Sequence, residues 1–129
     1  MKVFVYGTLR KGEENNHFLK NAICLNDHCW TFGLLYDSGY GYPAMIPSMN
    51  DRTVGELYEV TEKELSLLDE LEDFVEGGTN NLYERVEQEI YTNDDVTLAY
   101  VYIANNEDLL KIIVHKGDWK EYRQKLESK

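Results

Sequence analysis

Met1-Lys2-Val3-Phe4-Val5-Tyr6-Gly7-Thr8-Leu9-Arg10-Lys11-Gly12 delivers four apolar side chains, Val3 to Tyr6, into a turn bracketed by two glycines. An unbroken apolar run that stops at glycine predicts a short buried strand over residues 2–6 with a glycine turn at its end. Such turns expose consecutive backbone N–H groups, which bind anions or carbonyl oxygens. The spacing of Gly7 and Gly12 imitates a P-loop, but Glu13 and Glu14 stand where that motif needs Lys and Ser or Thr. Two carboxylates there would repel a triphosphate, and no G-x-G-x-x-G occurs, so nucleotide binding is excluded. A ligand-free surface turn fits the same residues.

Outward from this strand, residues 22–36 are β-rich, with Trp30, Phe32, Leu34, Leu35 and Tyr36 around Gly33. Asp37-Ser38-Gly39-Tyr40-Gly41-Tyr42-Pro43 reads as a loop whose tyrosines make a good pocket wall. Ala44 to Ile46 re-enters a sheet and Val54 to Val60 alternates as a strand. Thr61-Glu62-Lys63-Glu64 is a capping box, predicting a helix that runs to about Phe74 and stops before Gly77-Gly78. Residues 83–91 and 96–103 predict an antiparallel hairpin about Asn93-Asp94-Asp95. Short helices are expected at Glu13–Asn21 and from Asp118, with Tyr122 and Leu126 sharing a face. Strands with two or three short helices make an α+β fold, and a small closed barrel would protect the sheet edges.

The chain has 129 residues, enough for one domain, 1–129. Its 43% hydrophobic and 29% charged content is that of a folded soluble protein. No apolar run approaches the ~20 residues that span a bilayer, and the N-terminal apolar stretch is too short for a signal peptide, so the cytoplasm is the expected location. A net charge of −11 repels phosphate backbones and excludes nucleic acid as a partner. Cys24 and Cys29 do not form a zinc signature and are expected as free thiols. His17, His28 and His115 are scattered, so no metal is expected. No G-x-S-x-G elbow occurs; spacing leaves a Cys–His pair open.

Among 24 acidic residues, one on the Thr61–Phe74 helix stands apart. With Leu65 at zero, Leu67, Leu68 and Leu71 fall at roughly 200°, 300° and 240°, and Glu72 at roughly 340°, inside the apolar arc. Asp69, Glu70 and Asp73 fall at roughly 40°, 140° and 80°, on the other face. Glu64 is occupied by the capping box. A carboxylate facing a sheet is paired, protonated or beside a cavity, and burial raises its pKa toward that of a general base. An ion pair to Arg85 or Arg10, or exposure at the helix end, would also account for it.

Val5-Tyr6-Gly7-Thr8-Leu9 resembles the YGxL signature of the γ-glutamyl cyclotransferase-like family, which includes γ-glutamylamine cyclotransferases. The resemblance continues through Gly41-Tyr42-Pro43-Ala44, Val54-Gly55-Glu56-Leu57-Tyr58, Leu68-Asp69-Glu70-Leu71-Glu72 and Tyr83-Glu84-Arg85, and ends near Gly117-Asp118-Trp119. It implies a mixed-strand barrel flanked by helices, a glycine loop that cradles a γ-glutamyl group, and Glu72 as acid/base. The implied reaction is attack of the substrate's α-amino group on its own γ-carbonyl, releasing 5-oxoproline and an amine or amino acid without a cofactor. The implied binding residues are Tyr6, Gly7, Thr8, Leu9, Arg10, Tyr42, Pro43, Tyr83 and Arg85, with Arg10 or Arg85 either holding the α-carboxylate or forming a structural ion pair. Asp73-Phe74-Val75-Glu76 precedes Gly77-Gly78 where γ-glutamylamine-specific members have a short Gly-rich turn, and this insertion is expected to border the pocket. A non-catalytic metabolite-binding module and an enzyme that strips a γ-glutamyl protecting group remain the alternatives. Oligomeric state is not readable.

Overall fold

The structure, a computed structural model, describes residues 1–128. Its strands are β1 (Lys2–Val5), β2 (Ile23–Asp37), β3 (Pro43–Glu59), β4 (Tyr83–Tyr91), β5 (Val96–Ala104) and β6 (Ile112–Ile113). Its α-helices are α1 (Glu62–Leu71) and α2 (Trp119–Glu127). The sheet runs β3-β1-β5-β4-β2, and β2 pairs back onto β3, closing a five-stranded barrel with β6 appended to β2. The barrel is mixed because β1 is antiparallel to β3 and parallel to β5.

The opening strand is apolar from Val3 onward because it is buried there on both faces. Val3 and Val5 belong to a cluster with Leu65 and Leu68 of α1. Phe4 and Tyr6 belong to a second cluster with Met45, Ile90 and Trp119 of α2. The β4–β5 hairpin runs from Tyr83↔Ala104 to Tyr91↔Val96, and Thr92 N–H closes its turn on Asp95 O at 2.9 Å.

Several elements differ from the sequence expectation. The strands expected at 44–46 and 54–60 are one long strand, β3, which ends at Glu59. Gly33 pairs with Pro47 and Phe32 with Arg52, so residues 48–51 bulge out of the ladder just after a proline that cannot donate to it. The helix expected over Glu13–Asn21 is only a 3-10 turn, Asn16–Leu19. Its approach is spent on the glycine loop: Glu13 N–H bonds Arg10 O (3.0 Å) and Asn15 N–H bonds Thr8 O (2.8 Å). Helix α2 starts as expected, with Asp118 accepting from Glu121 N–H, but Leu126 is 49% exposed and only Tyr122 packs inward, on Trp119. Cys24 and Cys29 are free, and burial followed by the Glu56 charge pushes the Cys29 thiol up to about 12. Among the described residues no helix is long and apolar enough to cross a membrane.

One buried carboxylate ties the glycine loop to the barrel. Glu56, 2% exposed, accepts from Arg10 Nε (3.1 Å), Lys11 N–H (2.9 Å) and the Tyr58 hydroxyl (3.0 Å). Arg10 also reaches Asp118 (3.1 Å), and α2 adds Arg123–Glu13 (2.6 Å) and Lys120 Nζ to Lys11 O (2.6 Å). Removing one partner of a buried ion pair leaves a desolvated charge, which costs far more than the intact pair contributes. Glu56→Gln should therefore lower unfolding free energy in urea by about 3 kcal/mol, the Asp118 contact keeping the loss at the low end of the usual range.

Candidate active site

Beside the glycine loop lies a cavity of about 340 Å³, bounded by the loop, the Tyr40–Pro43 turn, the end of α1 and the β4–β5 hairpin. Gly7 is glycine for a packing reason. A Cβ there would stand 2.6 Å from Pro43 Cγ and 2.8 Å from its Cδ, so the close approach of loop and turn requires its absence. Gly7, Thr8 and Leu9 line the cavity, and among the described residues their amide N–H groups have no protein acceptor. Asn15 Nδ2 donates to Thr8 Oγ1 (2.9 Å), which leaves the threonine proton free for a ligand.

Glu72 lines the opposite wall. Helix α1 ends one residue before it, earlier than the expected Phe74, in a Schellman closure: Phe74 N–H bonds Asp69 O (2.9 Å) and Asp73 N–H bonds Glu70 O (3.2 Å). Asp73 takes the left-handed conformation (φ 54°) that this closure demands and that aspartate tolerates better than most residues. The chain turns sharply there, leaving Glu72 as the C-cap with its side chain toward the barrel. The residue is only half-buried because it faces an open cavity, yet protein surrounds the carboxyl closely enough that burial pushes its pKa up to about 7. Its charge in turn helps raise Tyr6, Tyr42, Tyr83 and Tyr102, each of which is shifted chiefly by burial.

The cavity walls are built by tyrosines spent on backbone carbonyls. Tyr6 donates to Tyr102 O (2.6 Å) and Tyr83 to Pro43 O (2.7 Å), so both shape the hollow rather than offer it a proton. Tyr42 stacks near Tyr40, centroids 6.2 Å apart, and its hydroxyl has no protein partner among the described residues.

Eight of the ten site residues expected from the sequence (Tyr6, Gly7, Thr8, Leu9, Tyr42, Pro43, Glu72 and Tyr83) line this one cavity. Arg10 and Arg85 do not. Arg10 is committed to Glu56 and Asp118, and Arg85 to Asp69. Neither pairs with Glu72. Residues 73–76 do not border the cavity either; Leu82 does. The short insertion instead folds back on itself, Asn81 bonding both Val75 N–H and Val75 O at 2.9 Å.

Asp69, placed on the outer face by the helical wheel, turns inward to the Tyr102 hydroxyl (2.6 Å) and Arg85. Leu67 is 44% exposed, so the buried arc is centred nearer Leu65 than the wheel assumed, and Asp69 sits on its border. Glu14, Asn15, Tyr102 and Glu56 were not singled out from the sequence. Only Glu56 carried a signal, a charge on an apolar strand beside glycine.

Residues 3–121 match the family described as gamma-glutamyl cyclotransferase, AIG2-like. The chain belongs to that family. Among cyclotransferase relatives, one named gamma-L-glutamyl-butirosin B gamma-glutamyl cyclotransferase, from Niallia circulans, is 40% identical over 94% of this chain and 76% of its own length. A gamma-glutamylcyclotransferase family protein of Escherichia coli K12, YtfP, is 36% identical over 92% of this chain and 96% of its own. The crystal structure of YkqA from Bacillus subtilis superposes with a TM-score of 0.80 at 29% identity, covering 99% of this chain and 42% of that longer one.

The raised carboxyl makes a signed prediction for this cyclotransferase-family chain. Between the ordinary value of 4.5 and about 7 the unfolded chain ionises Glu72 and the folded chain does not, so stability falls as pH rises through that window. With water entering the cavity, the loss is at most about 3 kcal/mol. Glu72→Gln should match the parent near pH 4 and exceed it by up to about 3 kcal/mol near pH 8, read by chemical denaturation.

Proposed function

We propose that this chain cleaves a γ-glutamyl amide by intramolecular attack, with Glu72 as base and then acid. One observation carries the reading: the only carboxyl among the described residues that burial pushes up borders the same cavity as the free amides of residues 7–9. A base that titrates near neutrality is matched to taking a proton from the substrate's α-ammonium group. The freed amine attacks the γ-carbon, and the amides of Gly7, Thr8 and Leu9 receive the developing oxyanion. As the C–N bond to the leaving amine breaks, Glu72 returns a proton to the departing nitrogen. The α-nitrogen loses its second proton to water as the ring closes, and the released amine takes up one from water, so 5-oxoproline and an ammonium ion balance the substrate. Holding nucleophile and carbonyl in one bent conformer supplies much of the acceleration.

With Arg10 and Arg85 committed elsewhere, the α-carboxylate falls to neutral donors, the Thr8 and Tyr42 hydroxyls. Tyr6, Leu9, Pro43 and Tyr83 act as walls. No Lys or Arg lines the cavity, and its non-tyrosine ionisable groups are Glu14 and Glu72. The Lys111 ammonium lies over the Tyr40 ring, 4.0 Å from its centroid. This charge balance favours an amine over an amino acid as leaving group, and the relative named for gamma-L-glutamyl-butirosin B supports removal of the γ-glutamyl group from a larger amine. We place the reaction in the cytoplasm, where two free thiols stay reduced.

Purified protein should form 5-oxoproline, detected by mass spectrometry, from γ-glutamyl amines faster than from γ-glutamyl dipeptides. Glu72→Gln should lower kcat by about 10²–10⁴-fold, and the parent's kcat/KM should rise with pH through about 7 as the base ionises. Turnover unchanged in Glu72→Gln would remove this residue from the mechanism. Tight binding of 5-oxoproline with no turnover of any γ-glutamyl compound would instead make the chain a metabolite-binding module.

A further inference from the structure

A carboxylate at a helix C-terminus stands at the unfavourable end of the helix dipole, and Glu72 has no protein hydrogen-bond donor among the described residues to hold it there. Its placement comes from its neighbours. Asp69, three residues before it, pairs with Arg85 Nη1 and accepts from the Tyr102 hydroxyl at 2.6 Å. Phe74, two residues after it, lies under the same guanidinium, whose carbon is 5.2 Å from that ring and 4.7 Å from the Tyr100 ring. The Phe74 N–H bond to Asp69 O joins the two flanks. One cation on β4 thus grips the chain on both sides of Glu72 and fastens it to β5. The Arg85 side chain is 15% exposed and its Nε is buried without an acceptor, so the guanidinium is not presented to the cavity.

We propose that Arg85 is a positioning residue: bonded to Asp69 and packed on Phe74 and Tyr100, it holds Glu72 aimed into the cavity and does not touch the substrate. Asp69 has a second part in this arrangement. It neutralises the guanidinium, which would otherwise be free to pair with Glu72 and occupy the base. The charges of Asp69, Glu72 and Arg85 all act on one group, the Tyr102 hydroxyl that lines the cavity. The other titratable groups facing Glu72 are the hydroxyls of Tyr6, Tyr42 and Tyr83, with Glu14 and Tyr40 lining the same cavity; none of these is cationic.

The inference rests on the cyclotransferase reading for its kinetic arm but not for its spectroscopic one. On a γ-glutamyl amine, Arg85→Met should lower kcat by about 100-fold with KM held within about threefold, because a displaced base costs rate rather than binding. Arg85→Lys, which keeps the charge but loses the planar stacking on Phe74 and Tyr100, should recover part of that loss. A large rise in KM at unchanged kcat would make Arg85 an anchor for the substrate's carboxylate and overturn the proposal, as would wild-type kinetics. Independently of turnover, the Glu72 carboxyl can be titrated by ¹³C NMR in the ligand-free protein. In Arg85→Met its midpoint should fall from about 7 toward the ordinary 4.5 as the released side chain reaches water. An unmoved midpoint sinks the proposal. Should Arg85→Met fail to fold, Asp69→Asn keeps the stacking and frees the guanidinium, and the same fall in midpoint and kcat is expected. If the parent makes no 5-oxoproline, the reaction is wrong, and the titration still decides the role of Arg85.

Discussion

The buried carboxylate of Glu56 is the interaction on which the arrangement depends. It stands on β3 where β1 ends, and it accepts one bond from the guanidinium, one from a backbone amide and one from a hydroxyl. A buried anion with that many donors is tolerable; with fewer it would be a large penalty. The consequence is that residues 10 and 11 are pulled inward and the preceding amides of residues 7–9 are left facing the cavity. Helix α2 reinforces the same loop through Asp118, Lys120 and Arg123, so the C-terminal segment helps hold a structure made by the first dozen residues.

Across the cavity the logic is reversed. Glu56 is satisfied and buried, whereas the half-buried Glu72 has no protein donor among the described residues. The first holds a loop in one conformation; the second is left with a proton affinity near neutrality. Tyrosines surround it, but Tyr6, Tyr83 and Tyr102 give their protons to Tyr102 O, Pro43 O and Asp69. They therefore present low-polarity walls with no competing proton donor, which keeps the carboxyl's pKa high. Two carboxylates of one barrel thus serve opposite ends because their partners differ.

Much of this was legible in residue order. The unbroken apolar run of β1 announced burial on both faces, the capping box placed the start of α1, and the wheel isolated Glu72. What escaped was long-range pairing. Arg10 and Arg85 read as free cations because their partners, Glu56, Asp118 and Asp69, lie 46, 108 and 16 residues away. The joined β3 strand escaped because Pro47 looks like an end in sequence, and only its pairing to Gly33 shows that the ladder resumes after a bulge.

The sequence by itself determined the local facts: the β1 run, the β4–β5 hairpin, where α1 begins, which glycine turn follows β1, and the family to which the motifs belong. Tertiary structure alone decided which charges are spent and which remain available. Hydrophobic period and turn chemistry are written in neighbouring residues, whereas the state of an ionisable group is set by whatever the fold brings within a few ångströms of it. Only closing the barrel could set Glu72 opposite the amides of Gly7, Thr8 and Leu9, and draw both arginines away.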